Sequence, residues 1–175
     1  MEQDPTLPFR IIVDIAAKGL SPAINDPTTA VLAIDQIHYL LLKVGGRQLD
    51  EGLVRDEEGR VRLVYRTPNW EDFVQLAVTE IRLFGGSSIQ IVRRLRAMLQ
   101  ELIETLPEER TLPLRQELDV LQRSSERLFV EPEDRALAAA DDSQGMGGRS
   151  QRRSKRGEVI SGSSQVAKIK ARIAK

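Results

Sequence analysis

A chain of 175 residues with 41% hydrophobic and 30% charged residues has room for one domain and a tail. It has no cysteine and one histidine, which excludes disulfides, thiolate metal sites, thiol catalysis and His-rich metal clusters. The formal net charge of zero conceals an acidic body joined to a basic end: residues 142–175 carry nine Lys/Arg against two Asp/Glu, and residues 1–141 carry seventeen against twenty-four.

Aromatic residues make up only 4% of the chain, so the core must be aliphatic. Apolar runs last about one helical turn before a charge interrupts them, far short of the roughly 18–20 residues a membrane span needs. Met1-Glu2-Gln3-Asp4-Pro5 has neither a basic nor an apolar segment, so no signal peptide is expected.

Phe9, Ile12, Val13, Ala16, Ala17 and Leu20 recur at helical spacing and predict a first helix over 8–20. Arg10, Asp14 and Lys18 stand four apart on another face, where they can pair. Gly19 and Ser21-Pro22 end this helix. A second helix is predicted over 27–44, with Asp26 as its N-cap and Pro27 at the first position, where the missing N–H costs nothing. Its stripe is Val31, Ile34, Ile37/His38, Leu41 and Val44, and Gly45-Gly46 stops it.

Residues 52–66 read as a β-hairpin. Val61, Leu63 and Tyr65 alternate with Arg60, Arg62 and Val64 beyond an acidic turn, Asp56-Glu57-Glu58-Gly59. A lone hairpin is barely stable, so this one is expected to lie against the helices. A third helix is predicted over 69–84 from Trp70, Phe73, Val74, Ala77, Ile81 and Phe84, and Gly85-Gly86 ends it. Ser87 or Ser88 can cap a fourth helix reaching about residue 106, with Ile89, Val92, Leu95, Leu99 and Leu102 inward and Pro107 as breaker. A fifth follows over 112–129 through Leu114, Leu118, Leu121 and Leu128, and 133–140 can form a short sixth.

From 142 to 164 the chain is rich in Ser, Gly, Gln and Arg with almost nothing to bury, which predicts disorder. Val166, Ile169 and Ile173 allow a short basic helix over 165–174. The expectation is a mainly α domain over 1–141, with five or six helices in antiparallel hairpins and one β-hairpin insert, followed by a disordered basic tail over 142–175.

The corner Ser21-Pro22-Ala23-Ile24-Asn25-Asp26-Pro27-Thr28-Thr29-Ala30 has five hydrogen-bonding side chains in ten residues, dense for a connector between two apolar helices. N–H groups at the start of the second helix, with the Ser21 or Thr28 hydroxyl, could hold an anion. Asn25, Asp26 and backbone carbonyls could instead hold a hard cation. The plain alternative is that Asn25 or Asp26 caps the helix and the prolines set the corner. Arg10 and Asp14 could form a charged site beneath it, or an ordinary surface series with Lys18.

His38 could carry protons or sit satisfied in the core. Asp35 shares its helix face, but no nucleophile is placed nearby. Asp56-Glu57-Glu58 has too few ligands for a dedicated Ca²⁺ loop. Gly85-Gly86-Ser87-Ser88 lacks the lysine and the preceding strand of a phosphate loop. No metal or cofactor site is expected.

The run Gln3-Asp4, Phe9-Arg10, Val13-Asp14-Ile15-Ala16, Leu20-Ser21-Pro22, Ile24-Asn25-Asp26-Pro27 and Thr29-Ala30, with Asp35 further on, resembles domain of unknown function family 2254. So do the acidic hairpin turn, Thr67-Pro68-Asn69-Trp70-Glu71-Asp72, and the paired glycines before the fourth helix. The likeness covers about residues 2–130. It departs at Ala23, where the pattern has glycine, and at Ile11, where a polar residue is usual.

The family comprises bacterial predicted membrane proteins without an established activity, whose spans precede the region seen here. The resemblance therefore implies a soluble C-terminal portion of a plasma-membrane protein, and the positive charge of the tail favours the cytoplasmic side. Its expected role is non-enzymatic, in assembly, ligand sensing or regulation, with the membrane-spanning part of its own parent chain as partner. An enzyme with its site at the corner is the alternative, and Asp14, Asn25, Asp26 and His38 would then be its groups. The Leu-rich fourth and fifth helices could also expose a homo-oligomer seam. The basic tail could draw anionic lipid. Nucleic acid is the less expected partner, because the tail has no aromatic residues for stacking.

Overall fold

A computed structural model describes residues 4–49 and 52–142. The predicted tail, including the short helix over 165–174, lies outside the described residues. Six α-helices appear in chain order: α1 (Leu7–Gly19), α2 (Pro27–Gly45), α3 (Trp70–Gly85), α4 (Ile89–Thr105), α5 (Thr111–Leu128) and α6 (Pro132–Ala139). A short 3₁₀ turn, Glu108–Arg110, links α4 to α5. Strands β1 (Leu53–Arg55) and β2 (Val61–Val64) form a two-stranded antiparallel hairpin between α2 and α3. The fold is mainly α, as the sequence periodicities predict.

Local chemistry sets the helix starts. Asp26 caps α2 by accepting the N–H of Thr29, and Pro27 fills the first helical position. Asn69 caps α3 in a reciprocal box with Asp72: Asn69 Oδ1 accepts the Asp72 N–H and Asp72 Oδ2 accepts the Asn69 N–H, each at 2.9 Å. Ser88 occupies the N-cap position of α4, but its side chain caps nothing.

α1 packs on α2 and α3, α2 on α4, and α4 on α5 and α6. The aliphatic core runs from Phe9 and Ala16 through Ile34, Ile37 and Leu41 to Ile81, Leu95, Leu99, Leu102 and Leu114. Phe9 and Phe73 meet as a tilted pair with ring centroids 5.3 Å apart. Trp70 is buried and satisfied: Nε1 donates to the Arg110 carbonyl at 2.8 Å, and the Arg110 guanidinium lies 5.7 Å above its ring. Arg110 also donates to the Arg47 carbonyl at 3.1 Å, so one latch joins the ends of α2, α3 and α4. Gly85 is required by close approach, since a Cβ there would stand 2.4 Å from Ile91 Cγ2.

The hairpin does not lie against the helices. Every residue of β2 is exposed, and in β1 only Leu53 is half-buried. Its support is internal and polar: Arg60 reaches Asp56 at 3.2 Å and Glu58 at 2.8 Å, and Arg62 reaches Asp56 at 3.8 Å. A turn that neutralises its own charges needs no counter-charge from the helices. A bulge between Val54 and Arg55 breaks the regular alternation of the strand. Two stripe positions also turn outward, Phe84 and Leu128, both 52% exposed. Each is the penultimate or last residue of its helix, where no facing helix remains to cover it.

Candidate functional site

The α1–α2 corner is held by bonds within itself. Ser21 Oγ donates to the Lys18 carbonyl at 2.8 Å, and the Ser21 carbonyl accepts the N–H of Ile24 at 3.1 Å and of Asn25 at 2.9 Å. Asn25 takes the left-handed conformation at φ 49°, which asparagine tolerates better than most residues. That twist returns the chain so that the Asp26 N–H donates to the Gly19 carbonyl at 2.7 Å.

Asp26 then closes on α2: Oδ2 accepts the Thr29 hydroxyl at 2.5 Å and Oδ1 accepts its N–H at 3.1 Å. These bonds, the hydroxyl first, hold the Asp26 carboxyl below its ordinary range. The N-terminal N–H groups of α2 thus face a carboxylate from the chain itself. Asn25 and Thr28 are exposed.

The other two residues singled out in the sequence stand apart from this corner. Arg10 is eleven residues before Ser21, roughly 16 Å along the helix axis. It donates from Nε to Thr6 Oγ1 at 3.1 Å, and Thr6 donates its hydroxyl to Asp4 at 2.7 Å. Asp14 is exposed midway along α1, and among the described residues no ion pair joins it to Arg10 or Lys18. Four of the six, Ser21, Asn25, Asp26 and Thr28, therefore share a place.

A second polar cluster lies between α2 and α4, and sequence spacing does not reveal it. Arg94, buried on α4, reaches Asp35 Oδ1 on α2 at 2.5 Å from both Nε and Nη2. Its Nη1 stands 3.9 Å from Asp142 Oδ2, beyond α6. One turn along α2, His38 is buried with Nε2 4.0 Å from Glu101 Oε2, too far for a hydrogen bond. Among the described residues Nε2 has no hydrogen-bond partner, so His38 is a core histidine whose Nε2 is not satisfied there. Burial pushes its pKa down; the Arg94 charge adds to that, while Glu101 and Asp35 pull the other way.

One signal in the sequence could have pointed here. Arg94 stands between Val92 and Leu95 in the inward stripe of α4, where only a partnered charge can sit. The pair is internally neutral. Among the described residues no group of His, Asp and Glu could hold a metal ion.

α1 carries a third feature. Leu7, Ile11 and Ile15 line one face, and they are 51%, 52% and 47% exposed. The opposite face, Phe9, Val13 and Ala16, is in the core. Asp14 and Lys18 share the outer side, so α1 is apolar inside and mixed outside, with three half-exposed aliphatic side chains there.

The class defined so far is a small helical domain whose polar groups are largely spent on its own caps and pairs. Residues 1–101 match the family described as Predicted membrane protein (DUF2254), and the chain belongs to that family. It is 25% identical over 138 residues to an uncharacterized protein of Mycobacterium bovis, and equally to uncharacterized proteins of two strains of Mycobacterium tuberculosis. Each alignment covers 78% of this chain and 26% of the relative, so the chain spans about a quarter of the length of the curated relatives it matches. No solved structure matches it. Among the described residues, no helix is long and apolar enough to cross a membrane.

Proposed function

We propose that this chain is a water-facing, non-catalytic assembly domain of a bacterial membrane protein, docked through the outer face of α1 onto the rest of its own polypeptide. The observation that carries the reading is the row Leu7, Ile11 and Ile15, which stays half-exposed while the same helix buries Phe9, Val13 and Ala16. Covering such a row returns roughly 25 cal/mol for each Å² of apolar surface taken from water. The rest of the polypeptide is the chosen occupant because relatives are about three times as long and the family is one of membrane proteins. The polar groups support a structural role: Ser21, Asp26, Asp35 and Arg94 are each engaged within the domain.

Photo-crosslinking in bacterial membranes containing the whole polypeptide tests this. A benzophenone amino acid at position 11 should crosslink to a segment outside residues 4–142, and one at Glu133 on α6 should not. Ile11 is the sharper probe because it is the middle residue of the exposed row. Crosslinks at position 11 that are absent, or that match those at position 133, would refute the docking.

A further inference from the structure

α6 folds back across α4 and α5 and leaves a cavity of about 460 Å³ between the three helices. That volume lies within the roughly 300–1,000 Å³ of small-molecule sites. Its floor is apolar, with Val92, Leu121 and Ala138 all buried. Its edge is cationic: Arg96 from α4 and Arg135 from α6 line it, against one acid, Glu126.

The charges there are not settled as they are elsewhere in the domain. The sheltered Arg82 has Glu117 at 3.4 Å, and the buried Arg94 has Asp35 at 2.5 Å. Arg96 is half-buried too, yet among the described residues it meets no carboxylate; Nη1 donates to the Ala139 carbonyl. Arg135 donates from Nε to the Phe129 carbonyl at 2.6 Å and from Nη2 to the Val130 carbonyl at 2.8 Å. Glu126 accepts from Gln122 Nε2 at 3.2 Å and pairs with neither arginine. A guanidinium carries five N–H donors, so both arginines keep donors beyond these bonds. A neutral carbonyl leaves their charge uncompensated, whereas an oxyanion would pair with it directly.

We propose that this groove binds a small amphiphilic anion, a carboxylate or phosphate on a short aliphatic chain. The head pairs with Arg96, with Arg135 adding positive charge along the same edge, and the chain lies over Val92, Leu121 and Ala138. A free fatty-acid-like carboxylate and the phosphate of a short lipid share this chemistry.

Titrating the full 175-residue protein with octanoate and with octyl phosphate, followed by amide chemical shifts, tests the site and separates the two sources. Saturable binding of one or both is expected, with shifts concentrated in α4, α5 and α6, and the tighter ligand identifies the head group. Octan-1-ol should bind at least tenfold more weakly. Arg96→Gln should weaken binding at least tenfold. Because Arg96 also holds Ala139, a second variant is needed: Gln122→Trp, at an exposed lining position, should block the groove without disturbing the core. Failure of both anions to saturate, octanol binding as tightly as octanoate, or full affinity in Gln122→Trp would each overturn the proposal.

Discussion

At the α1–α2 corner every side-chain bond reaches a neighbour no more than four residues away, and the groups stay exposed or half-exposed. Between α2 and α4, Arg94 bonds Asp35 across 59 residues of sequence, with its guanidinium buried. Both regions use carboxylates that accept hydrogen bonds from the chain itself. They differ in what remains when one partner is lost. Water can replace a lost partner at the corner, but it cannot reach the buried Arg94 guanidinium without opening the core. The first region should therefore shape the chain locally, and the second should hold two helices together.

The largest expected effect breaks the second region. Asp35→Leu leaves the Arg94 guanidinium buried, with Asp142 at 3.9 Å as its remaining ion-pair partner among the described residues. Losing one partner of a buried pair costs about 3–5 kcal/mol. Arg94→Met alone should cost less, because the Asp35 side chain is 21% exposed and can be partly hydrated. The double variant should recover much of the Asp35→Leu loss, since two apolar residues replace two charges. Urea unfolding of the four proteins gives the coupling directly. Additive losses would show that the pair does not hold the face.

His38 sharpens the contrast through pH. Its folded pKa lies below the ordinary 6.5, chiefly from burial, with Glu101 and Arg94 facing it from α4 and Asp35 from α2. The unfolded chain therefore takes up this proton at a higher pH than the folded one does. Stability from neutral His38 is complete above about pH 6.5 and falls as pH drops toward the folded pKa, by at most about 1.4 kcal/mol per pH unit. His38→Gln should flatten that part of the stability profile between pH 7.5 and 5. Glu101→Gln should steepen it, because the charge that opposes the shift is gone. Superimposable profiles for all three proteins would mean that His38 does not titrate against the fold.

This difference in range also explains what the sequence discloses. The start of α2 was legible because a cap is decided within four residues: Asp26 stands before Pro27 and accepts from Thr29. The core was legible because Ile34, Ile37, Leu41, Leu95 and Leu99 repeat at helical spacing. The α2–α4 pair was not, since nothing local to Asp35 announces an arginine 59 residues away. The hairpin misled for a related reason. Its alternation predicts a buried face, but Arg60 and Arg62 neutralise Asp56 and Glu58 within the hairpin itself and leave it independent of the helices. Of the six candidate site residues, only the four adjacent in sequence proved adjacent in space.

The smallest effect tests whether the corner is structure alone. Asn25 at φ 49° has a backbone that suits glycine and resists β-branched residues. Asn25→Val should destabilise by about 1–2 kcal/mol, and Asn25→Gly should cost no more than a few tenths or stabilise slightly. Gly keeps the turn and deletes the amide, so it separates the two roles that Val confounds. If Asn25→Gly matches the parent in urea unfolding and in crosslinking from position 11, the amide serves only the turn. If it unfolds like the parent but loses those crosslinks, the Asn25 side chain contacts something beyond the domain, and the corner joins the α1 face as part of one docking surface.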